Sequence, residues 1–539
     1  MTTPHLAPRA PDQTISALRR PLQAVPPTSS SGHPIRALYF ALSKPRPDAA
    51  LLDTARRFLD TAIADVAELP SDLPTTAAGL AAWISHNTQE VGHRYQEYLS
   101  ARHAGGPRQY FGSKSHALNF LKSVAPTKTV DGAWLYGLLR HWNDGRFGSL
   151  IRIYLEELGC GMPDKNHVLL YKKLLAANGC EQWDRLSEPH YVQGTIQLAL
   201  SHQADRFLPE VIGFNLGYEQ LPLHLLIAAY ELNELGIDPY YFTLHVTVDN
   251  ADTGHAKTAL NGLQEAWPVI GDGEHFYARV AAGYKLSTLG ASTNSVIADF
   301  DLEQELIAIL AEKSVVGNQV HSDYCKVAGR AINDWLRNPA EMPVFLQALQ
   351  QTGWIRRHEA PENSRFWKLI QGERADMFGV FSAYEQQVIW DWINGDAAKR
   401  NESTVASDGA VIPAARPTPR VLGYKARQKL LESLAQRGAA SNDAPISVTQ
   451  INDGFANGND NGNGNGGDLR TAAHLQAANA HSDLGPSDFD HDLRQLDQAL
   501  ASTLTRQEAM QLLVHLMSPA LHHTPVGLKA TRLFAQMFG

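Results

Sequence analysis

Apolar residues recur at three- and four-residue spacing along most of this chain. ALLDTARRFLDTAIADVAEL, GAWLYGLLRHW, LIRIYLEELG, HVLLYKKLLAANG, QLPLHLLIAAYELNELG and DLEQELIAILAEK all carry that period. It is the period of amphipathic helices packing one face inward. Several of the segments end in Gly or Asn-Gly, the usual C-terminal stop. Strict alternation of apolar and polar residues is scarce, and neither a βαβ rhythm nor an internal repeat stands out. The pattern predicts an all-α body over residues 35–395. Residues 1–34, rich in Pro, Ser and Thr, read as a disordered tail. Residues 396–485 contain VIPAARPTPR and FANGNDNGNGNGG and read as a flexible low-complexity linker, with one short helix, GYKARQKLLESLAQRG, inside it. Helical spacing returns over residues 486–539. So short a segment makes a poor independent domain and is expected to dock on the body or on a partner.

Composition narrows the class. Of 539 residues, 44% are hydrophobic and 19% charged, enough to bury a sizeable core. The net charge of −9 and the lack of a Lys/Arg-rich block argue against nucleic acid as a partner. No run approaches a membrane span, and no secretory leader is evident. Three cysteines, Cys160, Cys180 and Cys325, give no disulfide framework, which fits a reducing, cytoplasmic setting. Signatures for dinucleotides, P-loop phosphates, the hydrolase nucleophile elbow and the zinc protease helix are missing.

The chemistry concentrates in acids and histidines set in apolar segments. FTLHVTVDNADTGHAK holds His245, Asp249, Asp252 and His255. On one continuous helix these fall within an arc of about 120°. Burying such a stripe is costly unless a cation pairs with it, and mixed imidazole and carboxylate donors suit iron, manganese or zinc. The bland alternative is a solvated face. YLEELGCGMPDKNHVLLYKKLL reads as a helix closed by Glu157, a turn, and a new helix starting near Pro163. That would put Asp164 and His167 one turn apart on one face, a spacing that di-iron carboxylate bundles use; Asp164 could equally serve the helix dipole. Glu219 is an acid out of place in an apolar helix, while the nearby His224 reads more simply as a core histidine. Asp131 stands before a helix, where capping is the commonest reason for an Asp. Tyr154, Tyr171, Tyr218, Tyr240, Tyr241 and Phe242 could wall a pocket, or simply be core. Arg356, Arg357, Arg365 and Arg374 could clamp a carboxylate, although surface ion pairing is the plainer reading. His522 and His523 read as a surface pair.

Glu157, Asp164-x-x-His167, Glu219 and His245-x-x-x-Asp249 followed by His255 resemble the haem-oxygenase-like di-iron oxidases, and specifically the bacterial iron-containing redox enzyme family. ELGCGMPDKNH is similar to that family's Glu-Tyr-Gly-x-Gly-…-His stretch, and HVTVDNADTGHA to its His-x-x-x-Asp-x-x-His helix. Motif support runs from Val124 to Lys257, within a core of about residues 124–330. Asp131 matches the family's first-helix carboxylate by position. In one respect the chain departs from the pattern: Asp252 stands where the last His belongs, and His255 comes three residues later. Either Asp252 replaces that ligand, or a local bulge turns His255 inward; the bulge is the reading preferred here. The resemblance implies a haem-oxygenase-like multi-helix bundle holding two iron ions that use O2 to oxidise a small organic molecule. It implies one iron on Glu157, His167 and a third-helix group, and another on Asp164, His245 and Asp249, with Glu219 completing or bridging them. Reactions of that family include N-oxygenation, desaturation and carbon–carbon cleavage of amino acids or fatty acids. An external electron donor and a homodimer are compatible with this. Two alternatives remain: a haem-binding relative on the same fold, and a helical interaction protein without catalysis.

Overall fold

The computed structural model describes residues 33–248, 254–317, 321, 324–372, 375–395, 486–502 and 505–538. The expected N-terminal tail, the low-complexity linker with its short helix, and Asp249 and Asp252 lie outside those residues, apart from the tail's last two positions.

Among the described residues the chain is helical throughout, save for one two-stranded antiparallel ribbon, Lys326–Val327 with Arg330–Ala331. The first helices are α1 (Pro34–Leu42), α2 (Ala49–Val66), α3 (Leu80–His103), α4 (Lys114–Ser123) and α5 (Ala125–Lys128). The central set is α6 (Gly148–Glu157), α7 (His167–Asn178), α8 (Glu188–Gln203), α9 (Leu208–Tyr218), α10 (Leu223–Glu234), α11 (Tyr240–Val248), α12 (His255–Glu265) and α13 (Gly273–Lys285). Then come α14 (Thr293–Ala298), α15 (Leu302–Gly317), α16 (Ile332–Leu336), α17 (Met342–Gln351), α18 (Arg365–Ile370) and α19 (Ala383–Asn394). The C-terminal segment supplies α20 (Pro486–Ala501), α21 (Arg506–Leu516) and α22 (Pro525–Phe538). No helix among the described residues is long and apolar enough to cross a membrane.

Two apolar cores form. One joins α1, α2, α6, α8, α9, α12 and α13 with residues of α20–α22, around Trp134, Tyr154 and Phe214. The other joins α4, α7, α10 and α11 with α15 and α17–α19, around Phe111, Tyr171 and Trp392. Close approach of α9 and α13 depends on glycine. A Cβ on Gly213 would sit 1.8 Å from the Val280 carbonyl oxygen, and one on Gly283 would sit 2.2 Å from that of Glu210. Fixing α9 against α13 fixes the position of Glu219, the residue that caps the C-terminal end of α9.

Two local expectations are corrected. The helix after Gly161 does not begin at Pro163. It begins at His167, because the Asn166 side chain accepts from Leu169 N and caps it there (2.9 Å). Nor do His245 and His255 share a continuous helix; the bulge expected after Asp249 lies outside the described residues. The segment breaks into α11 and α12, and Gly254 before His255 is extended, at φ −91° and ψ −164°.

Candidate metal centre

Six side chains converge where the two cores meet. Asp131, Glu157, His167 and His245 form one group, and Glu157, Glu219 and His255 a second; within each, the potential ligand atoms lie within 4.8 Å of one another. None of the six is more than 6% exposed. Each comes from a different place in the fold: Asp131 from the turn after α5, Glu157 from the last turn of α6, His167 from the first residue of α7. Glu219 closes α9, His245 lies on α11 and His255 starts α12.

Glu157 is the shared member. Its Oε2 lies 2.6 Å from His167 Nδ1 and its Oε1 lies 3.4 Å from His255 Nδ1. The His255 Nδ1 is also 2.9 Å from Glu219 Oε2, and His245 Nε2 is 3.3 Å from Asp131 Oδ2. With metal–donor bonds of about 2.1 Å, neighbouring donors on one ion stand about 3 Å apart. The observed separations match that edge length. The close approach of His167 Nδ1 to the Glu157 carboxylate is compatible with the same reading.

Surrounding groups orient the imidazoles. His245 Nδ1 lies 2.8 Å from the Tyr241 carbonyl oxygen and so carries the proton there, which turns Nε2 inward as an acceptor. His255 Nε2 lies 2.8 Å from Glu156 Oε2, which frees Nδ1 for the centre. The Tyr241 hydroxyl donates to Asp131 Oδ2 at 2.6 Å, and Lys128 Nζ stands 3.4 Å from the same oxygen. Burial opposes ionisation of Asp131, but Lys128 and His245 outweigh it and hold the carboxyl below the usual carboxylate range. Burial likewise works against the Glu157 carboxylate, and His167 and His255 beside it overcome that and hold it well below the usual range. Burial, and then the Asp131 charge, push the Tyr241 hydroxyl well up, so it remains a donor. Gly132, at φ +77°, lets the backbone pass beside Glu157, whose Cβ would stand 2.9 Å from a Cβ placed there.

Three buried carboxylates and three imidazoles fit a divalent-metal centre in donor type as well as spacing. Burial costs each carboxylate several kcal/mol of desolvation, which a bound cation would offset as the neighbouring Lys and His groups do. A cavity of about 350 Å³ opens against this centre and includes Asp131, Glu157, Glu219 and His245 in its lining. Phe120, Trp134, Tyr218, Leu225 and Phe242 supply apolar wall; Lys128, Gln193 and His224 add polar groups. Burial, and then Lys128, drive His224 down to about 4, which keeps it neutral.

The structure brings together Glu157, His167, Glu219, His245, His255 and Asp131 from the residues singled out in the sequence. Asp164 is not among them: it is exposed in the turn before α7, because capping by Asn166 leaves it outside the helix. Glu157, rather than Glu219, faces both groups. Tyr218 and Phe242 line the cavity, whereas Tyr154 and Tyr171 are core, donating to the carbonyls of Met517 and Leu121. Arg357 and Arg365 pack on Trp392 and Trp354, away from this cavity. Glu156 and Lys128 carry no sequence signal that separates them from surface charges.

Comparison with known families bears on the same stretch. Residues 118–287 match the iron-containing redox enzyme family. That match is consistent with the haem-oxygenase-like superfamily and points to an oxidoreductase, and it contains all six converging side chains. No curated protein and no solved structure matches the chain.

Proposed function

We propose that this chain is a non-haem di-iron enzyme, an O2-dependent oxidase or oxygenase acting on a small organic substrate such as an amino acid or a fatty acid derivative. The observation that carries this reading is Glu157, which presents one carboxylate oxygen to His167 and the other to His255. A carboxylate with each oxygen facing a separate donor group is suited to bridging two ions. The iron-containing family match supports iron over manganese or zinc. A haem-binding reading asks for an imidazole standing apart from acids, whereas each imidazole here faces a carboxylate.

In this reading Asp131, His167 and His245 would hold one ion and Glu219 and His255 the other, with Glu157 available to both. Ferrous ions bound there would supply the electrons for O2 reduction. The protein's own part is to fix and shield. Glu156 and the Tyr241 carbonyl hold the outward imidazole protons, and the Tyr241 hydroxyl steadies Asp131. Aromatic side chains form part of the cavity wall, and the cavity volume lies in the small-molecule range. Lys128 places a positive charge on its lining, suited to a substrate carboxylate. The test is anaerobic Fe(II) loading, then O2 with a panel of amino acids and fatty acids, with products read by mass spectrometry. Oxidised product that requires both Fe(II) and O2 is expected. Iron-independent turnover, or an intense haem band near 400 nm in the active protein, would overturn the proposal.

A further inference from the structure

Helices α20–α22 lie outside the stretch that matches the family, yet the C-terminal segment packs on the part of the fold that carries Glu157 and His167. Met510, Leu513, Met517, Val526, Ala530 and Phe534 join the same core as Leu150, Ile151 and Leu158 of the α6 region. Polar links fix the register. The Tyr154 hydroxyl donates to the Met517 carbonyl at 2.6 Å, and the Arg532 guanidinium donates to the Gly161 carbonyl at 3.2 Å. The turn between α6 and α7 is shaped for this contact: a Cβ on Gly161 would come within 2.4 Å of the Leu528 carbonyl oxygen.

The link nearest the metal centre is His522. Contrary to its reading as a surface residue, it is 1% exposed. Its Nδ1 lies 3.2 Å from Nδ2 of Asn166, the residue before His167. The orientation of Asn166 follows from its other bonds. Its Oδ1 accepts from Leu169 N and so caps α7, and its amide nitrogen also lies 3.3 Å from the Leu158 carbonyl. An amide NH2 can only donate, so His522 Nδ1 is the acceptor and the ring is neutral, with its proton on Nε2. Asn166 thereby ties the end of the Glu157 helix to the start of the His167 helix, and His522 takes its remaining N–H.

We propose that the C-terminal segment completes the metal centre, with His522 as a positioning residue that holds His167 through Asn166. This rests on the metal-centre reading above. Its test uses the full chain and Co(II) alone, followed by absorbance, which reports ligand geometry without O2 chemistry. In His522→Ala the ion held by His167 should bind about tenfold or more weakly, while the ion held by Glu219 and His255 keeps its affinity. His522→Asn, which retains an acceptor near the Nδ1 position, should restore the first ion. His522→Phe keeps the buried ring without the acceptor and replaces the Ala variant if that does not fold; it should weaken the same ion. Native affinity for both ions in His522→Phe or His522→Ala would overturn the proposal. So would equal weakening of both ions, the result of a merely structural role. If the unaltered chain binds no Co(II), the metal centre itself falls; two ions at native affinity in the variants overturns only the positioning role.

Discussion

Glu157 faces both donor groups, while Asp131 and His255 each face one. Glu157→Ala should therefore abolish tight binding of both ions and all turnover. Asp131→Ala and His255→Ala should each cost one ion, and Asp164→Ala should bind like the unaltered protein, all read by anaerobic Fe(II) titration. An iron-binding defect in Asp164→Ala would contradict the placement of that residue in an exposed turn. Tyr241→Phe deletes the hydrogen bond to Asp131 and should cost about 10–100-fold in metal affinity or activity. Most of these residues stand out in the sequence for one reason: acids and imidazoles in apolar helices need a partner. Asp131 stands out less, because an Asp just before a helix is ordinarily a cap. Here the 3-10 helix Ala133–His141 receives no side-chain cap, and the carboxylate turns to His245 and Tyr241 instead. Asp164 misleads because Pro163 looks like a helix start, whereas the nearby Asn166 does the capping.

At the scale of elements, close packing of α9 on α13 holds Glu219 in place. Gly to Ala in a helix ordinarily stabilises by about 0.5–1 kcal/mol. Gly92→Ala in α3, where a Cβ meets nothing within 4 Å, should follow that rule and leave the melting temperature equal or higher. Gly213→Ala should reverse it, because the new Cβ meets the Val280 carbonyl. A fall in melting temperature and weaker binding of the ion at Glu219 are expected; a stabilised Gly213→Ala would contradict the packing. Helix content is legible from apolar spacing alone. The break between α11 and α12 is less so, because the polar stripe from His245 to His255 also fits one helix. What separates the two readings is local: the backbone of Gly254, directly before α12, is extended.

At the scale of the whole molecule, the C-terminal segment is joined to the centre through a buried neutral histidine. Burial, and then Lys172, drive His522 down to about 3, against about 6.5 for a free histidine. Between those values the folded state binds fewer protons than the unfolded one, so stability is full above about pH 6.5 and falls as pH drops through the window. From pH 7 to 5 the metal-free protein should lose on the order of 2 kcal/mol through this group. His522→Asn should lose correspondingly less, as followed by denaturant melts at the two pH values. Equal losses in both proteins would show that His522 is not held neutral in the fold. Nothing in SPALHHTP signals this burial, since a His pair beside Pro in a short terminal segment reads as surface. The contact depends on residues far apart in sequence, such as Tyr154 with Met517 and Asn166 with His522.

If Glu157 bridges two irons in one chain, both ions and their coupling are measurable. Anaerobic Fe(II) titration followed by Mössbauer spectroscopy of the oxidised protein tests that bridge most directly. Saturation at about two Fe per chain is expected, with the ferric ions magnetically coupled through their bridge. Saturation at one iron or none, or two uncoupled ferric ions, would contradict it.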